Sequence, residues 1–388
     1  MTLIELFCGT GGFSRGAHAA GFQVAVAYDI DKILTSSYRR NFPATQLYHR
    51  DVAALTGREI RAHAGAEIDG VFGGPPCQGF SEVGKRDPSD PRRSLLDHFF
   101  RIVAEIQPKF FVMENVRGLN FPRNRPVLDA ALSRVNDQYD VLTPHIRDAA
   151  EFGAATSRPR LVVIGIRKNL RRPLAMSDLD AMRSPGRATV RQAINDLWKA
   201  IAIEDHADLP GFDRWKAAGR GRPTNYVAQL RSKDRSFTGH RVTVHTPAVI
   251  ARFAKVPPGK MEKVGRHPRL KLDGLCPTLR AGTGSELGSF QSVRPIHPYQ
   301  NRVITVREAA RLQGFPDEHV FHPTVWHSFR MIGNSVSPMM ARGIFEAIRD
   351  RLSRPEEATI ATSSPAKQAF VSVKRTARGD ARMAEAAE

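Results

Sequence analysis

The sequence predicts an α/β protein with a mostly parallel sheet, joined to a smaller, less regular and basic domain. Short apolar strands alternate with amphipathic helical segments over the first two-fifths of the chain, a pattern typical of βαβ units. These strands run into polar or glycine-rich turns, where open parallel sheets bind ligands. Residues 200–300 have few periodic runs and are rich in Arg, Lys, His, Gly and Pro. We therefore expect a ligand-binding α/β core and a second domain of different character.

Local composition places the individual elements. Residues 94–106 should form a helix, because apolar side chains recur on one face, Ser94 can cap the start and Pro108 follows the end. Thr305 and Glu308 form a capping box at the start of another helix. The predicted strands are 3–7, 22–28, 68–72, 110–113 and 161–166. The predicted helices are 13–20, 31–40, 94–106, 305–312 and 339–352.

Charge and composition narrow the class of protein. The 388 residues include 58 Lys and Arg against 39 Asp and Glu, a formal net charge of +19, which points to a polyanionic partner and to nucleic acid first. No apolar run is long enough to span a membrane, and the N-terminus lacks the basic segment of a signal peptide. Cys8, Cys77 and Cys276 are too scattered for a disulfide framework or a CxxC metal site. We expect a soluble, cytoplasmic protein.

The turn CGTGG after the first predicted strand is a candidate nucleotide-binding loop. Its small residues let backbone amides approach a ligand, and the next helix presents its N-terminus there. Asp29 ends the second strand, where a carboxylate can accept hydrogen bonds from a ribose diol, and Asp51 follows a third short strand as a weaker adenine-side contact. Nicotinamide, flavin and S-adenosylmethionine folds all use such a turn, and a purely structural glycine turn is the alternative.

The segment GGPPCQGFS at residues 73–81 carries a candidate nucleophile. Two prolines stiffen the turn and hold Cys77 in one orientation, while flanking glycines leave space around it. The next strand brings Glu114 to the same edge of the sheet. Both groups can act on one pyrimidine ring. Cys77 would attack carbon 6 while protonated Glu114 donates its proton to ring nitrogen 3. Carbon 5 would then be nucleophilic toward a methyl donor. Buried filler is the alternative for this cysteine.

This chemistry needs opposite pKa shifts at the two groups. Glu114 must hold a proton when the base binds, which requires a pKa raised by burial or by its neighbours. Cys77 needs a lowered pKa, and Arg158 and Arg160 in TSRPRLVVIG are the cations expected to provide it. Alternate spacing puts both arginine side chains on one face of an incoming strand.

Six segments together resemble the DNA (cytosine-5) methyltransferases. They occur in the order and spacing of that family and are LFCGTGGFSRG, GGPPCQGFS, FVMENVRG, SRPRLVVIG, TVREAARLQGFP and IGNSVSP. The resemblance implies a doubly wound sheet of the S-adenosylmethionine-dependent methyltransferase type, with a smaller, irregular target-recognition domain. It divides the chain into a discontinuous catalytic domain (1–195 and 331–354), a target-recognition domain with its return hinge (196–330) and a disordered tail (355–388).

The resemblance also implies roles by position. Cys77 would be the nucleophile and Glu114 the acid, while Arg158 and Arg160 would orient the base. S-adenosyl-L-methionine would be the methyl donor, with no metal involved. The cofactor contacts would be Phe7, Gly9, Gly11, Gly12, Asp29, Asp51, Asn334, Ser335 and Val336.

Three positions depart from the family pattern. Asp29 stands where Glu is usual, so its ribose contact is expected to be longer or single. Thr156 replaces the usual Gln, and Ser337 stands where Pro is common, with Pro338 displaced by one. None of these changes removes a catalytic group.

DNA binding is expected in two regions. A cytosine inside a duplex cannot reach such a site, so the resemblance implies that the nucleotide flips out at a cost of roughly a few kcal/mol. Residues 79–93 would form a mobile lid with Lys85, Arg86, Arg92 and Arg93 on phosphates, or else an ordinary solvated loop. Base reading should fall to residues 200–300, with candidate contacts at Arg231, Arg235, His240, Arg241, Arg269 and Arg280.

The sequence thus predicts a sequence-specific enzyme that methylates carbon 5 of cytosine in duplex DNA, for restriction-modification or epigenetic marking. A companion restriction endonuclease would act separately, and the enzyme would work as a monomer. An RNA cytosine-5 methyltransferase and a catalytically silent DNA-binding relative are the alternatives. A nicotinamide dehydrogenase is the weakest, because the PPC and ENV segments and the paired arginines would then have no role.

Overall fold

A seven-stranded sheet organises the first half of the chain in the computed structural model, which describes residues 1–76, 94–203, 211–217, 223–282 and 294–354. The strand order is 3-2-1-4-5-7-6. Strands 1 to 5 pair in parallel and the last two are antiparallel, which confirms the predicted mostly parallel α/β class. The strands are β1 (Thr2–Leu6), β2 (Gln23–Asp29), β3 (Gln46–His49), β4 (Gly70–Gly73), β5 (Phe110–Val116), β6 (Tyr139–Asp148) and β7 (Pro159–Arg167).

The edge strand β6 is one that the sequence does not predict. It pairs with β7 alone, and most of its side chains are therefore only half-buried. It lacks the mostly apolar composition of β1, which lies between two neighbouring strands and is buried from Leu3 to Leu6.

Twelve helices occur among the described residues. The predicted helix over 94–106 has the expected bounds, and the predicted capping box is present, with Thr305 accepting from the amide of Glu308 (3.2 Å). The helices are α1 (Gly12–Ala19), α2 (Tyr38–Asn41), α3 (Gly57–Ala64), α4 (Ser94–Ile106), α5 (Arg125–Leu132), α6 (Met176–Asp180), α7 (Val190–Ile194), α8 (Asn225–Leu230), α9 (Pro247–Ala254), α10 (Val306–Gln313), α11 (Val325–Asn334) and α12 (Pro338–Ser353).

The helix predicted over residues 31–40 is wrong for most of its length. Only α2 at its end is helical, and the residues before it form consecutive turns. The side chain of Asp31 accepts hydrogen bonds from the amides of Ile33 and Leu34 (both 2.9 Å), and Ser36 donates to the carbonyl of Ile33 (2.8 Å). Short polar side chains here compete with the helical backbone for hydrogen bonds.

Helices cover both faces of the sheet, so the fold is doubly wound as predicted. One face packs against α3, α4 and α5, with Phe99 and Phe100 at the centre of that core. The other face packs against α1, α6 and α12, where Phe13 and Phe345 lie together. The last helix thus returns to the first, and Gly16 permits the contact, because a Cβ atom there would lie 2.3 Å from that of Ala341.

The part of the chain between β7 and α12 has its own hydrophobic core. Helices α7, α8, α10 and α11 share it, and its buried side chains include Tyr226, Phe237 and Phe329. A small antiparallel sheet in the order 10-9-8 lies in the same region and consists of β8 (Ile201–Ile203), β9 (Arg214–Lys216) and β10 (Ser236–Thr238).

Residues Met1–Glu356 form one compact unit. The division into a catalytic domain and a target-recognition domain therefore stays a prediction, and the predicted tail over 355–388 lies outside the described residues. In the ranges that the structure describes, no helix is both long and apolar enough to cross a membrane.

Candidate active site

The glycine-rich turn after β1 forms an open backbone cradle at the carboxyl edge of the sheet. Phe7, Gly9 and Gly11 have positive φ angles of 59°, 50° and 83°, and the amide of Gly11 donates to the carbonyl of Cys8 (2.9 Å). A Cβ atom on Gly9 would meet nothing within 4 Å, whereas one on Gly11 would lie 2.2 Å from the ring of Phe42. The turn is therefore packed on one side and open to a ligand at Gly9.

Asp29 lies beside this turn at the end of β2. Its Oδ2 accepts from the amide of Gly9 and its Oδ1 from the amide of Asp31, each at 2.8 Å. Burial raises the pKa of this carboxyl group, although the backbone hydrogen bonds act in the opposite direction. The next residue, Ile30, is 68 % exposed and was missed by the sequence analysis. An apolar residue directly after the candidate ribose-binding acid was the available signal.

The segment around Ser335 closes the turn from the C-terminal side. Ser335 and Val336 are buried against Gly12, where a Cβ atom would lie 1.9 Å from Ser335 Oγ and 2.4 Å from the carbonyl oxygen of Val336. Gln313 holds the segment by donating from Nε2 to the carbonyl of Ser335 (2.9 Å). Asn334, by contrast, is exposed. Three of the predicted cofactor-binding residues therefore meet at one point.

Asp51 differs from Ser335 and Val336 in its exposure to solvent. It is exposed, and its Oδ1 accepts from the amide of Ala53 (2.9 Å), which caps a short 3-10 turn. Its contact with the adenine stays a prediction.

A buried carboxyl group that the sequence analysis missed lies beneath the turn. Glu5 in β1 is 1 % exposed and accepts hydrogen bonds from Ser14 Oγ and from the hydroxyl of Tyr38 (3.2 Å). Burial raises its pKa to about 8, outweighing the effect of those hydrogen bonds. An acidic residue inside an otherwise apolar strand was the available signal. The network ties β1, α1 and α2 together under the candidate cofactor loop.

Replacing Glu5 with Gln is expected to flatten the pH dependence of stability. The folded protein keeps the Glu5 proton up to about pH 8, whereas the unfolded chain loses it near 4.5. Folding therefore takes up a proton between these values. The free energy of unfolding of the wild type should fall as the pH rises across this range, by at most about 1.4 kcal/mol per unit from this group.

Thermal melting of the wild type and Glu5→Gln across this pH range checks the expectation. Glu67 is 79 % exposed, so Glu67→Gln is the matched control and should keep the wild-type slope. Parallel slopes for all three proteins would show that Glu5 does not titrate as proposed.

Cys77 lies outside the described residues, but the turn that leads to it is described. Asn115 Nδ2 donates to the carbonyl of Pro75 (3.1 Å), which fixes this turn to the end of β5. A Cβ atom on Gly74 would lie 3.3 Å from Oε2 of Glu114. Because β4 and β5 are neighbours in the sheet, Glu114 lies against the turn that carries Cys77.

Glu114 is a buried carboxyl group facing cations. Its Oε1 lies 2.9 Å from Nε of Arg160. Burial raises the pKa of Glu114 above its ordinary value of 4.5, while the charges of Arg160 and Arg158 reduce the rise. The carboxyl group therefore keeps a proton more readily than one in water. This is the direction that the sequence analysis required for an acid at this position.

Arg158 joins the end of the sheet to two segments that lie far away in the sequence. Its buried guanidinium donates to the carbonyls of Leu279 (3.1 Å) and Gly333 (2.8 Å). Thr156 Oγ1 donates beside it to the carbonyl of Cys276 (3.0 Å), so the threonine that departs from the family pattern has a structural partner. Arg158 thus holds two distant segments together next to Glu114, and its part in orienting the base stays a prediction.

The structure describes only two of the six residues that the sequence analysis places on DNA in the lid and at Arg241 and Arg280. Arg241 and Arg280 are exposed, and the amide of Arg241 donates to Oδ2 of Asp213 (2.6 Å). Lys85, Arg86, Arg92 and Arg93 of the expected lid lie outside the described residues. The roles of all six in DNA binding stay predictions.

Two of the other candidates are not available to DNA. Arg269 is buried and donates to the carbonyl of Phe253 (2.6 Å), and His240 is buried with Nδ1 2.9 Å from Oγ1 of Thr305. The expectation that they face DNA is wrong, because both side chains satisfy interior hydrogen bonds instead.

The doubly wound sheet, the open glycine turn with an acid after β2, and the buried carboxyl group beside the turn after β4 together fit a transferase of the S-adenosylmethionine-dependent class. The chain belongs to the C-5 cytosine-specific DNA methylase family, whose model matches residues 1–350. It is thus a DNA (cytosine-5) methyltransferase, which confirms the function predicted from the six segments.

Individual relatives agree with this assignment. The chain is 43 % identical to the Type II methyltransferase M.XorII of Xanthomonas oryzae pv. oryzae, over 91 % of this chain and 87 % of that protein. It is 31 % identical to the Type II methyltransferase M.DdeI of Desulfomicrobium norvegicum, over 90 % and 88 %. A crystal structure of a DNA modification methyltransferase encoded within an E. coli prophage superposes with a TM-score of 0.78 at 36 % identity, covering 91 % of this chain and all of that one. The S. pombe Dnmt2 methyltransferase shares the fold, with a TM-score of 0.62 at 16 % identity over 91 % of this chain and 99 % of that one.

Proposed function

We propose that this enzyme methylates carbon 5 of cytosine within a specific sequence of duplex DNA, with Cys77 as nucleophile on a base flipped out of the helix. The observation that carries the proposal is the position of Glu114, buried beside Arg160 and against the turn that leads to Cys77. A protonated carboxyl group there can donate to ring nitrogen 3 while a thiolate adds to carbon 6.

The residues around the glycine-rich turn fit S-adenosyl-L-methionine. Space is open in front of Gly9, Asp29 offers carboxylate oxygens to the ribose hydroxyls, and the exposed Ile30 offers apolar cover for the adenine ring. Helix α1 begins directly after this turn, and a helix N-terminus favours a carboxylate nearby. When bound, this cofactor supplies an electrophilic methyl group on its sulfonium.

The protein residues then act on the cytosine in sequence. The Cys77 thiolate adds to carbon 6, the displaced electron pair moves through the ring, and Glu114 delivers its proton to nitrogen 3. Carbon 5 becomes nucleophilic and gains the methyl group. A water molecule removes the carbon 5 proton, the Cys77 thiolate leaves to restore the 5,6 double bond, and the nitrogen 3 proton returns to Glu114. No step requires a metal ion.

The partners follow from the same assignment. The relatives named as Type II methyltransferases support a role in restriction-modification, with a companion endonuclease that acts separately. We infer that residues 196–330 read the DNA sequence while residues 1–195 and 331–354 hold the cofactor and the base. We also infer that the enzyme acts as a monomer, since flipping one base needs one active site.

Transfer of a labelled methyl group from S-adenosyl-L-methionine to duplex DNA and to tRNA tests the proposal. We expect incorporation into duplex DNA at a single sequence, 5-methylcytosine as the product, and a covalent complex with duplex DNA that contains 5-fluorocytosine. Incorporation into tRNA alone would favour the RNA methyltransferase alternative. Failure of both transfer and covalent trapping would favour a silent DNA-binding relative.

A further inference from the structure

A chain of polar contacts leads from helix α11 to the glycine-rich turn after β1. Arg330 lies on α11, and its Nη2 is 3.3 Å from Oδ2 of Asp31. The amide of Asp31 donates to Oδ1 of Asp29 (2.8 Å). Oδ2 of Asp29 in turn accepts from the amide of Gly9 (2.8 Å). Arg330 is therefore linked, through Asp31 and Asp29, to the turn where the cofactor is proposed to bind.

Asp31 uses its two carboxylate oxygens for different contacts. Its Oδ1 accepts from the amides of Ile33 and Leu34 (both 2.9 Å), which fixes the side chain on the turn after β2. Its Oδ2 faces the guanidinium of Arg330. The same residue donates its amide to Asp29, so the position of Asp31 determines the position of that donor.

Arg330 is also oriented by an aromatic ring on its own helix. Its Cζ lies 5.1 Å from the ring centroid of Trp326, which is four residues earlier on α11, and this distance permits a cation–π contact. The side chains of Arg330 and Asp31 are 24 % and 30 % exposed, so water and salt screen the pair only in part. The ion pair is therefore more restrained than one between two fully exposed side chains.

The charge of Arg330 suits the carboxylate of Asp29. Burial raises the pKa of Asp29, the hydrogen bond from the Asp31 amide opposes the rise, and the negative charge of Asp31 adds to it. Arg330 places a positive charge against Asp31 and so offsets the last of these effects without disturbing the hydrogen bond. It thereby favours the ionised form of Asp29, in which both oxygens are acceptors only.

Helix α11 also leads to the other side of the candidate cofactor site. Ser335 and Val336 follow the helix directly and pack against Gly12. The contact between Arg330 and Asp31 therefore joins the helix that precedes this segment to the acid-bearing turn after β2.

We propose that Arg330 is a positioning residue of the cofactor site, which acts through Asp31 to hold Asp29 against the ribose hydroxyls of S-adenosyl-L-methionine. The inference rests on the proposed function, which places the ribose at Asp29. In this role Arg330 contributes to cofactor affinity and leaves the chemistry at the cytosine unchanged. The alternative is a purely structural role, in which Arg330 stabilises α11 and affects every part of the cofactor equally.

The first test compares two ligands that differ only at the ribose. Isothermal titration of the full chain measures the affinity for S-adenosylhomocysteine and for its analogue lacking the 2′ and 3′ hydroxyls. The wild type should bind the analogue more weakly. Arg330→Ala should weaken binding of S-adenosylhomocysteine about fivefold, as loss of a well-placed ion pair predicts. It should not weaken binding of the analogue, because Asp29 then has no hydroxyl to meet.

Arg134→Ala is the matched control for this substitution. Arg134 also forms an ion pair between separate elements, with Nε 2.5 Å from Oδ1 of Asp97 on α4. This variant should bind both ligands as the wild type does.

The second test removes the charge of Asp31 and keeps its shape. Asp31→Asn retains the backbone amide and one oxygen to accept from the turn, but it loses the carboxylate that faces Arg330. It should reproduce the fivefold loss, and the double variant Asp31→Asn/Arg330→Ala should bind no more weakly than either single variant. If Arg330→Ala does not fold, Asp31→Asn carries the comparison of the two ligands by itself.

Steady-state kinetics separates positioning from catalysis. In Arg330→Ala the KM for S-adenosyl-L-methionine should rise about fivefold, while kcat at saturating cofactor and DNA should equal that of the wild type. A fall in kcat with an unchanged KM would overturn the inference.

The ligand comparison distinguishes failure of this inference from failure of the proposed function. If the wild type neither binds S-adenosylhomocysteine nor methylates DNA, the proposed function fails. If the wild type is active but binds both ligands equally, Asp29 does not hold the ribose and the inference is overturned alone. Equal weakening of both ligands by Arg330→Ala, or no weakening of either, would also overturn it while the methyltransferase function stands.

Discussion

Cys77→Ser is expected to abolish methyl transfer, with a loss of at least roughly a thousandfold in kcat. A serine hydroxyl ionises far less readily than a cysteine thiol, so it cannot add to carbon 6 as a thiolate does. Binding of S-adenosyl-L-methionine should be unchanged, because the proposed cofactor residues lie on the turn after β1 and around Ser335. Single-turnover methyl transfer and equilibrium cofactor binding measure the two properties separately.

Cys276→Ser is the matched control for this substitution. Cys276 is buried, its pKa is raised to about 12 by burial, and its sulfur donates to the carbonyl of Pro277 (3.2 Å), a bond that a hydroxyl can replace. We expect this variant to keep methyl transfer and to form the covalent complex with 5-fluorocytosine DNA, which Cys77→Ser should lose. Full activity of Cys77→Ser would rule out the covalent mechanism.

Glu114→Gln is expected to lower kcat by about 10²- to 10⁴-fold, the usual contribution of a general acid. The amide can donate a hydrogen bond to ring nitrogen 3 but cannot deliver a proton to it. Affinity for DNA should change much less, because the substitution keeps the shape of the side chain. Pre-steady-state rates of methyl transfer with saturating DNA and cofactor provide the measurement.

The pH dependence gives a second signature of Glu114. Its active form is the protonated one, so the wild-type rate should fall as the pH rises through its pKa, which burial moves above the ordinary value. Glu114→Gln has no proton to lose at this position, and the part of the alkaline decline due to Glu114 should disappear. Glu67→Gln, at an exposed site, should keep the wild-type profile. An unchanged profile in Glu114→Gln would show that another group controls the alkaline limb.

Strong local signals in the sequence predicted much of the fold correctly. The helix α4 has the predicted bounds because its apolar periodicity, its first residue and the following Pro108 agree. The capping box at Thr305 is equally local. Where local signals are mixed, the prediction failed, as in the turns after Asp31 and in the half-buried edge strand β6.

Side-chain burial was harder to predict than secondary structure. Arg269 and Arg266 are the same residue type only three positions apart, yet Arg269 is buried on interior carbonyls and Arg266 is exposed. Arginine accommodates either setting, because its guanidinium can satisfy several carbonyls or face water. Glu5 was missed because an acidic residue in a strand is ordinarily exposed, whereas this one is buried.

The sequence by itself determined the family and the reaction and predicted the acid and the nucleophile, because each depends on residue types at short spacings within continuous motifs. Only the tertiary structure decided how distant segments complete the site. It placed Ser335 against Gly12 and held Gly333 and Leu279 on the guanidinium of Arg158. Such contacts depend on how strands order in the sheet and which side chains exclude water together. No local pattern encodes that outcome, because burial is a property of the whole packed chain.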